Sequence, residues 1–277
     1  MLGSVFRTRG GEVSIHVSCT KQGVTSMPYA NSHSVRIHYQ IEGEGPSLVL
    51  QHGFTDSLES WYELGYVDAL KHDYQLILVD ARGHGASDKP HDPTAYEHKL
   101  LVADLIAVLD NLTIPTAHFL GYSMGGRIGF ALAKYAPARF ASLIIGGAHP
   151  YQQTQAQFDA RLQILRKGLD GMVALLGDNR SPARKARMLA NDVEALIASW
   201  SGRIGGPGLE DVLPTMAMPC LLYAGEADAA YPGVKDCCQH IPNVTFFSLP
   251  GLNHPEALVQ SSLVLPHIMK FLATVPA

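Results

Sequence analysis

The sequence predicts an α/β fold with a mostly parallel central sheet and helices on both faces. Short apolar runs alternate with helical patterns along most of the chain. These runs are continuously apolar, as expected for strands that are covered on both faces. The sequence Gly121-Tyr122-Ser123-Met124-Gly125 lies between an apolar run and a helical run. A small-x-Ser-x-small sequence in that context predicts a sharp turn from strand to helix, with the serine exposed at its tip.

The first half of the predicted sheet has regular patterns. Alternating side chains over 35–41 predict a strand, and the glycines and proline of 43–46 predict a turn. The apolar run 48–50 predicts a buried strand, and the β-rich run 74–79 predicts another. Leucines and valines at helical spacing predict a helix over 96–112.

The second half continues the alternation around one long interruption. Apolar runs predict strands at 117–120, 143–145, 219–224 and 244–247, and helical patterns cover 128–135 and 255–272. Residues 150–214 carry helical patterns without a strand pattern. We therefore expect a core made of 34–149 and 215–277, with a helical cap, or lid, over 150–214. The alternative is that these helices belong to the ordinary helical layer.

The N-terminal segment 1–33 is the least regular part of the sequence. Residues 12–17 alternate like a strand, and polar and glycine residues follow them. The segment is interpreted as an extension that could be an extra strand, a loose arm or an over-long start. It lacks the compact apolar stretch and cleavage site of a signal peptide.

Composition narrows the classes of function. The chain has 277 residues, is 47% hydrophobic and carries a net charge of −4. This charge gives no reason to expect a nucleic acid or an acidic membrane as a partner. No apolar run is long enough to span a membrane. The four cysteines are expected to be free thiols, which favours a cytoplasmic location. The oligomeric state is left open.

Two loops could supply the groups that a serine nucleophile needs. A serine hydroxyl requires a histidine base, and the histidine requires an acid to hold it in the right tautomer. Asp228 follows the strand 219–224, and His254 follows the strand 244–247, which is the chain order expected after such a serine. Glu226 is the rival acid, but its spacing after the strand fits less well. The sequence therefore predicts the triad Ser123, His254 and Asp228.

Two backbone amides are predicted to stabilise the developing oxyanion. One is the N–H of Met124, directly after the serine and at the start of a helix. The other is the N–H of Phe54, in a loop where Gly53 allows close approach of the backbone. His52 is a competing base, but it is better interpreted as an anchor for its own loop.

These motifs together resemble the α/β-hydrolase family over roughly residues 34–274. The resemblance depends on 52–54, on the segment 80–88, on the turn at Ser123, and on the loops that carry Asp228 and His254. It implies that Arg82 and Asp88 hold their loop and that Ser87 is not a second nucleophile. Serine at the turn distinguishes the chain from epoxide hydrolases and haloalkane dehalogenases, which carry aspartate there. The sequence is most similar to small lid-bearing serine esterases, enol-lactonases and carbon–carbon-bond hydrolases.

No motif indicates a metal or a cofactor. The sequence has no H-E-x-x-H, no Walker-type phosphate loop and no complete dinucleotide-binding glycine pattern. The substrate pocket is expected under the cap, with an apolar lining from Trp61, His149, Phe158, Met172 and Trp200. Few charges are expected to face inward, which favours an uncharged substrate. Four cap arginines are interpreted as solvated, although they could bind a substrate carboxylate: Arg161, Arg166, Arg184 and Arg187.

The function favoured by these observations is hydrolysis of a small carboxylic ester or lactone through an acyl-enzyme. A carbon–carbon-bond hydrolase or a perhydrolase would use the same triad and is a second hypothesis. A ligand-binding receptor on the same scaffold is a third, and the intact Ser123, Asp228 and His254 argue against it.

Overall fold

The computed structural model describes residues 28–176, 181–204 and 208–275. In these residues eight strands form one sheet, in the order β1-β2-β4-β3-β5-β6-β7-β8. The strands are β1 Tyr29–Ser32, β2 Val35–Glu42, β3 Ser47–Gln51, β4 Gln75–Val79, β5 Ala117–Tyr122, β6 Phe140–Gly146, β7 Cys220–Gly225 and β8 Val244–Leu249. β1 and β2 run antiparallel to their neighbours, and all other pairs are parallel. The predicted α/β fold with a mostly parallel sheet is confirmed.

Helices cover both faces of this sheet. They are α1 Glu59–Glu63, α2 Tyr66–Leu70, α3 His98–Asn111, α4 Met124–Tyr135, α5 Gln155–Arg166, α6 Leu169–Leu176, α7 Pro182–Leu189, α8 Val193–Ile204, α9 Tyr231–Cys237, α10 His254–Val259 and α11 Ser261–Leu272. Short 3-10 helices span Pro93–Tyr96, Pro137–Arg139, Glu210–Thr215 and Cys238–His240. None of the described helices is both long and apolar enough to cross a membrane.

Two apolar clusters explain why the strands are continuously hydrophobic. Val49 of β3 packs with side chains of α3 and α4 on one face, whereas Leu48 and Leu50 pack with α2 and α11 on the other. Successive side chains of a strand point to opposite faces, so a strand between two helical layers needs apolar residues at every position. The sheet core is thus divided between its two faces.

The predicted elements agree with the observed ones, except at both ends of the chain. The helix predicted over 255–272 is two helices, because the chain leaves the helical conformation at Gln260. At the other end, the sheet begins at Tyr29, ahead of the expected boundary at 34. β1 and β2 form a hairpin through His33 and Ser34, which both have positive φ angles. The strand-like pattern at 12–17 lies outside the described residues.

Residues 150–214 contain α5 to α8 and no strand in their described part. Their apolar side chains form a third cluster around Leu165, Met172, Leu196 and Trp200, which we call the cap cluster. Phe54 packs against this cluster from the loop after β3. The division into a core and a cap remains a prediction, which this separate cluster supports.

Candidate active site

Ser123 occupies the turn between β5 and α4. Its φ of 57° is in a region that a residue with a Cβ seldom adopts. Its amide donates a hydrogen bond of 2.8 Å to the Gly146 carbonyl, which holds the turn against β6. A Cβ at Gly121 would lie 2.4 Å from the Gly125 carbonyl oxygen, and one at Gly125 would lie 2.1 Å from that of Gln51. The turn therefore requires both glycines.

His254 is the first residue of α10 and lies beside Ser123. The distance from its Nε2 to the Ser123 Oγ is 2.9 Å. Asn253 caps the helix by accepting from the Glu256 amide, and Glu256 accepts from the Asn253 amide in return. The Tyr122 hydroxyl donates to the His254 carbonyl. These contacts fix the helix start, so the imidazole remains available to the serine.

Asp228 completes a hydrogen-bonded chain behind the histidine. Its Oδ2 lies 2.6 Å from the His254 Nδ1, and its Oδ1 accepts from the Ala230 amide at 2.8 Å. The Asp228 side chain is 2% exposed, whereas that of His254 is 31% exposed. The rival acid, Glu226, is exposed and accepts a hydrogen bond from the Ser248 hydroxyl. The structure thus brings together the three side chains that the sequence selects.

The two amides expected to bind an oxyanion come from neighbouring loops. Met124 begins α4, and the first amides of a helix have no partner within the helix. Gly53 lies against the serine, since a Cβ added to it would be 3.5 Å from the Ser123 Cβ. Phe54 follows it in this loop. The assignment of these two amides as donors remains a prediction.

His52 holds this loop, as the sequence analysis expects. Its Nε2 accepts from the Ala81 amide at 3.1 Å, so the ring proton is assigned to Nδ1, which donates to the Gly53 carbonyl at 2.8 Å. Both ring nitrogens are therefore occupied by backbone groups.

The segment 80–88 is a structural loop built around a buried carboxylate. Burial alone would raise the pKa of Asp80, but hydrogen bonds from His38, Ala86 and Leu58 outweigh it, and the pKa is lowered. Ser87 donates to the Asp80 carbonyl and accepts from the His38 amide. Arg82 is bound to Asp104, and Asp88 is bound to Arg36. Since Ser87 has no histidine base, it has no means of activation.

The expected pocket residues fall into two groups. Met172 is fully buried in the cap cluster with Trp200, and Phe158 packs against this cluster. The Trp200 ring centroid lies 5.7 Å from that of Phe54, next to the serine loop. His149 is half-buried, and its ring contacts that of Tyr151. The role of these four residues in binding substrate remains a prediction.

Trp61 differs from the other expected pocket residues in its surroundings. Its side chain is 1% exposed and packs edge-on against Tyr66, in the cluster on the α2 and α11 face of the sheet. It also lines a narrow gap with Gly53 and Tyr122. Trp61 is thus part of the sheet core, and its role in binding substrate stays a prediction.

The cap buries more charge than expected, and the interpretation of Arg184 as solvated is wrong. Arg184 is buried and ion-paired with Asp56, and Arg187 is ion-paired with Glu63. Arg203, which the sequence analysis does not select, is 5% exposed. It follows Trp200 by three residues on α8, so the helical period places it on the buried side. The helical spacing from Trp200 is the sequence signal that could have identified Arg203 as buried. A charged residue is, however, seldom assigned to a buried position.

The described residues contain no group of three or more histidine, cysteine, aspartate or glutamate side chains arranged to hold a metal ion. The groups that the structure places in series at Ser123 are a hydroxyl, an imidazole and a carboxylate. This arrangement can remove a proton from the hydroxyl while it attacks an electrophilic carbon.

Comparison with known proteins identifies the family of the chain. The family model described as the alpha/beta hydrolase fold matches residues 46–204, and the chain belongs to this family. A putative 2-succinyl-6-hydroxy-2,4-cyclohexadiene-1-carboxylate synthase of Bacillus subtilis (strain 168) is 28% identical over 86% of this chain and 96% of its own length.

Two solved structures of similar proteins share the whole fold. A hydrolase from Pseudomonas aeruginosa PA01 superposes with a TM-score of 0.81 and 25% identity, over 90% of this chain and 99% of its own. The enol-lactonase from Burkholderia xenovorans LB400 superposes with a TM-score of 0.78 and 25% identity. The match covers 89% of this chain and 100% of the enol-lactonase chain. The family and the fold are thus established for nearly the whole described chain.

Proposed function

We propose that the protein is a serine hydrolase that cleaves a carboxylic ester or lactone. The observation that carries the proposal is the chain of two hydrogen bonds from Ser123 Oγ to His254 Nε2 and from His254 Nδ1 to Asp228 Oδ2. The likeness to an enol-lactonase structure supports the choice of an ester or lactone bond. Free thiols at Cys220, Cys237 and Cys238 are consistent with the reducing cytoplasm that we also propose.

In the proposed reaction, His254 removes the proton of Ser123 as the hydroxyl oxygen attacks the substrate carbonyl. Asp228 keeps the proton of His254 on Nδ1 and stabilises the imidazolium that forms. The Met124 and Phe54 amides donate to the carbonyl oxygen as it becomes negative. His254 then returns its proton to the departing alcohol, and an acyl-serine remains. A water molecule, deprotonated by His254, releases the acid and restores the serine.

The test is turnover of a short p-nitrophenyl ester by a Ser123→Ala variant. Alanine keeps the Cβ that already occupies the positive-φ position, so the fold should not change. We expect kcat/KM to fall by at least about 10³-fold. Ser248→Ala, which removes a hydroxyl that is bonded to Glu226 away from the site, is the control and should retain full activity.

A fluorophosphonate provides a second, independent readout. It should form a covalent adduct at Ser123, located by peptide mass spectrometry, and the adduct should be absent in Ser123→Ala. Turnover that survives Ser123→Ala, or an adduct at a different serine, would refute the proposal.

A further inference from the structure

Arg203 is a buried cation that has no carboxylate partner among the described residues. Its Nε donates to the Ser199 carbonyl of its own helix at 2.9 Å, and its Nη2 is buried with no hydrogen-bond partner in the described part of the chain. Its guanidinium carbon lies 5.0 Å from the centroid of the Phe54 ring and 5.5 Å from that of Trp200. The charge therefore faces the two aromatic rings between the serine loop and the cap.

Two more arginines are close enough to Arg203 to affect its charge. The Arg161 guanidinium lies 5.3 Å from the Trp200 ring centroid, and its Nη1 contacts the Met172 sulfur at 3.8 Å. Arg127 donates through Nη1 to the carbonyls of His149 and Tyr151, while its Nε is buried without a partner.

No carboxylate of the described residues lies within ion-pair distance of these three guanidinium groups, although Glu210 acts on Arg127 from further away. Other arginines of the chain do have such partners: Arg36, Arg82, Arg139, Arg184 and Arg187.

The three charges disfavour one another. Burial lowers the pKa of Arg203 to about 9, and the nearby Arg127 and Arg161 lower it as well. His98, next to Arg127 and Arg203, supplies no compensation, because burial and these cations lower its pKa to about 3 and keep it neutral. A buried charge without a partner reduces stability, so the burial of Arg203 near two further cations needs a reason. An anion that binds among them would provide it.

This anion would lie close to the proposed nucleophile. Arg127 is one helical turn beyond Ser123 on α4, an axial distance of about 6 Å. Arg203 stands over the ring of Phe54, whose neighbour Gly53 has room for only a Cβ between itself and Ser123. The arginines therefore contact the same helix and the same loop that carry the proposed nucleophile and oxyanion donor, and an anion bound there would adjoin the proposed active site. It would therefore belong to the substrate itself and not to a separate effector.

We propose that Arg203, Arg161 and Arg127 form a subsite for a free carboxylate, so that the substrate is an ester or lactone of a dicarboxylic acid. This inference rests on the proposed hydrolase function and specifies its substrate class. A guanidinium matches a planar carboxylate through paired N–H donors. The aromatic rings of Phe54 and Trp200 suit the short methylene chain that joins the two acid groups. They also make the site costly for a doubly charged phosphate, which is harder to desolvate.

The kinetic test compares a charged with a neutral ester. The charged substrate is mono-p-nitrophenyl glutarate, and p-nitrophenyl valerate is its neutral counterpart of the same acyl length. The measured quantity is the ratio of their kcat/KM values. In Arg203→Met this ratio should fall at least about 30-fold, because a buried charge pair is lost, and Arg161→Met should lower it in the same direction. Arg203→Lys keeps the charge and should retain part of the preference.

Arg166→Met is the matched control, since Arg166 is an exposed arginine on the cap helix α5. It should leave the ratio within about 2-fold of the wild type, whereas the loss of a buried charge pair would change it far more. An unchanged ratio in both Arg203→Met and Arg161→Met would overturn the subsite. Half-buried Arg161 keeps the test decisive if Arg203→Met does not fold.

A binding measurement separates this inference from the hydrolase proposal. Glutarate should change the fluorescence of Trp200 in the Ser123→Ala variant, and Arg203→Met should weaken its apparent Kd at least about 30-fold, as in the kinetic test. Lack of ester turnover with glutarate binding intact would refute the hydrolase and leave the subsite standing. Ester turnover without a fluorescence response to glutarate would refute the subsite and leave the hydrolase proposal standing. A response to inorganic phosphate in place of glutarate would also overturn the carboxylate assignment.

Discussion

At the scale of single residues, the difference in exposure between Asp228 and His254 determines what each can do. The carboxylate is buried and bonded on both oxygens, so its position is fixed. The imidazole is partly exposed, as a group must be if it exchanges protons with a substrate and with water. This division agrees with the roles of an orienting acid and a mobile base.

Asp228→Asn should reduce kcat by about 10²- to 10⁴-fold without loss of structure. The asparagine oxygen can still accept from the Ala230 amide, which leaves its NH₂ group facing the His254 Nδ1. That nitrogen must then lack a proton, so Nε2 carries it and cannot accept one from Ser123. Steady-state kinetics with a p-nitrophenyl ester measures the effect. Glu226→Gln is the control. If kcat fell more in Glu226→Gln than in Asp228→Asn, Glu226 and not Asp228 would be the acid of the triad.

Individual residues also show how far the sequence leads. Ser123, Asp228 and His254 each follow the end of a short apolar strand, and the ends of parallel strands meet at one edge of a sheet. Their proximity is therefore predictable from chain order. The position of Arg203 is not predictable in this way. Its burial depends on how α8 packs against Phe54, and no local sequence pattern encodes that contact. For the same reason the packing of Trp61 in the sheet core could not be predicted.

At the scale of elements, the cap helix α7 is joined to the loop that carries Phe54. Arg184 forms a buried ion pair with Asp56, and Asn191, just after the helix, donates to the Thr55 carbonyl at 3.0 Å. Burial alone would raise the pKa of Asp56, but Arg184 and the Ser60 hydroxyl outweigh it, and the pKa is lowered. The position of a proposed oxyanion donor thus depends on a helix of the cap.

Arg184→Met should destabilise the protein by about 3–5 kcal/mol, because Asp56 would remain buried without its cation. Asp56→Asn combined with Arg184→Met should recover part of this loss. The free energy of unfolding in urea measures both variants. Arg187→Met is the comparison, since its pair with Glu63 is more exposed and should contribute less than about 1 kcal/mol. Equal losses in the two single variants would contradict the importance of the buried pair.

The hairpin of β1 and β2 is the element whose sequence signal is weakest. Its two-residue turn has positive φ at both His33 and Ser34, a geometry that usually selects asparagine or glycine. Without those residues the local sequence does not indicate a turn, and Tyr29–Ser32 is too short to be identified by alternation alone. Its position is set by pairing with β2, which is a tertiary effect.

At the scale of the whole molecule, burial of histidines links stability to acidity. Burial lowers the pKa of both His84 and His98 to about 3. It lowers the pKa of His118 and His149 in the same direction. These groups are neutral in the folded protein but bind protons near pH 6.5 when it is unfolded. Stability is therefore complete above pH 6.5 and falls as the pH is lowered toward 3.

The free energy of unfolding should decrease between pH 7 and pH 5 by up to about 1.4 kcal/mol per pH unit for each such histidine. Urea titrations at several pH values measure this slope. His98→Leu should reduce it, since leucine does not titrate and the His98 Nε2 has no partner among the described residues. Carboxylates whose pKa is lowered, Asp56 and Asp80 among them, bind protons below about pH 4 and have little effect on this interval. A flat profile from pH 7 to pH 5 would refute the prediction.

The arginines of the proposed carboxylate subsite also affect the rate at which a substrate associates. The molecule as a whole carries a net charge of −4 and repels an anion at long range. A cluster of positive charge in a low-dielectric recess concentrates the field locally and draws an anion inward over the last few ångströms. Added salt screens the outer repulsion before it reaches the buried charges, because the Debye length is about 10 Å at 0.1 M. For a dicarboxylate monoester, added salt should raise the association rate by screening the long-range repulsion and lower it by screening the local attraction. The association rate of a neutral ester should not depend on ionic strength.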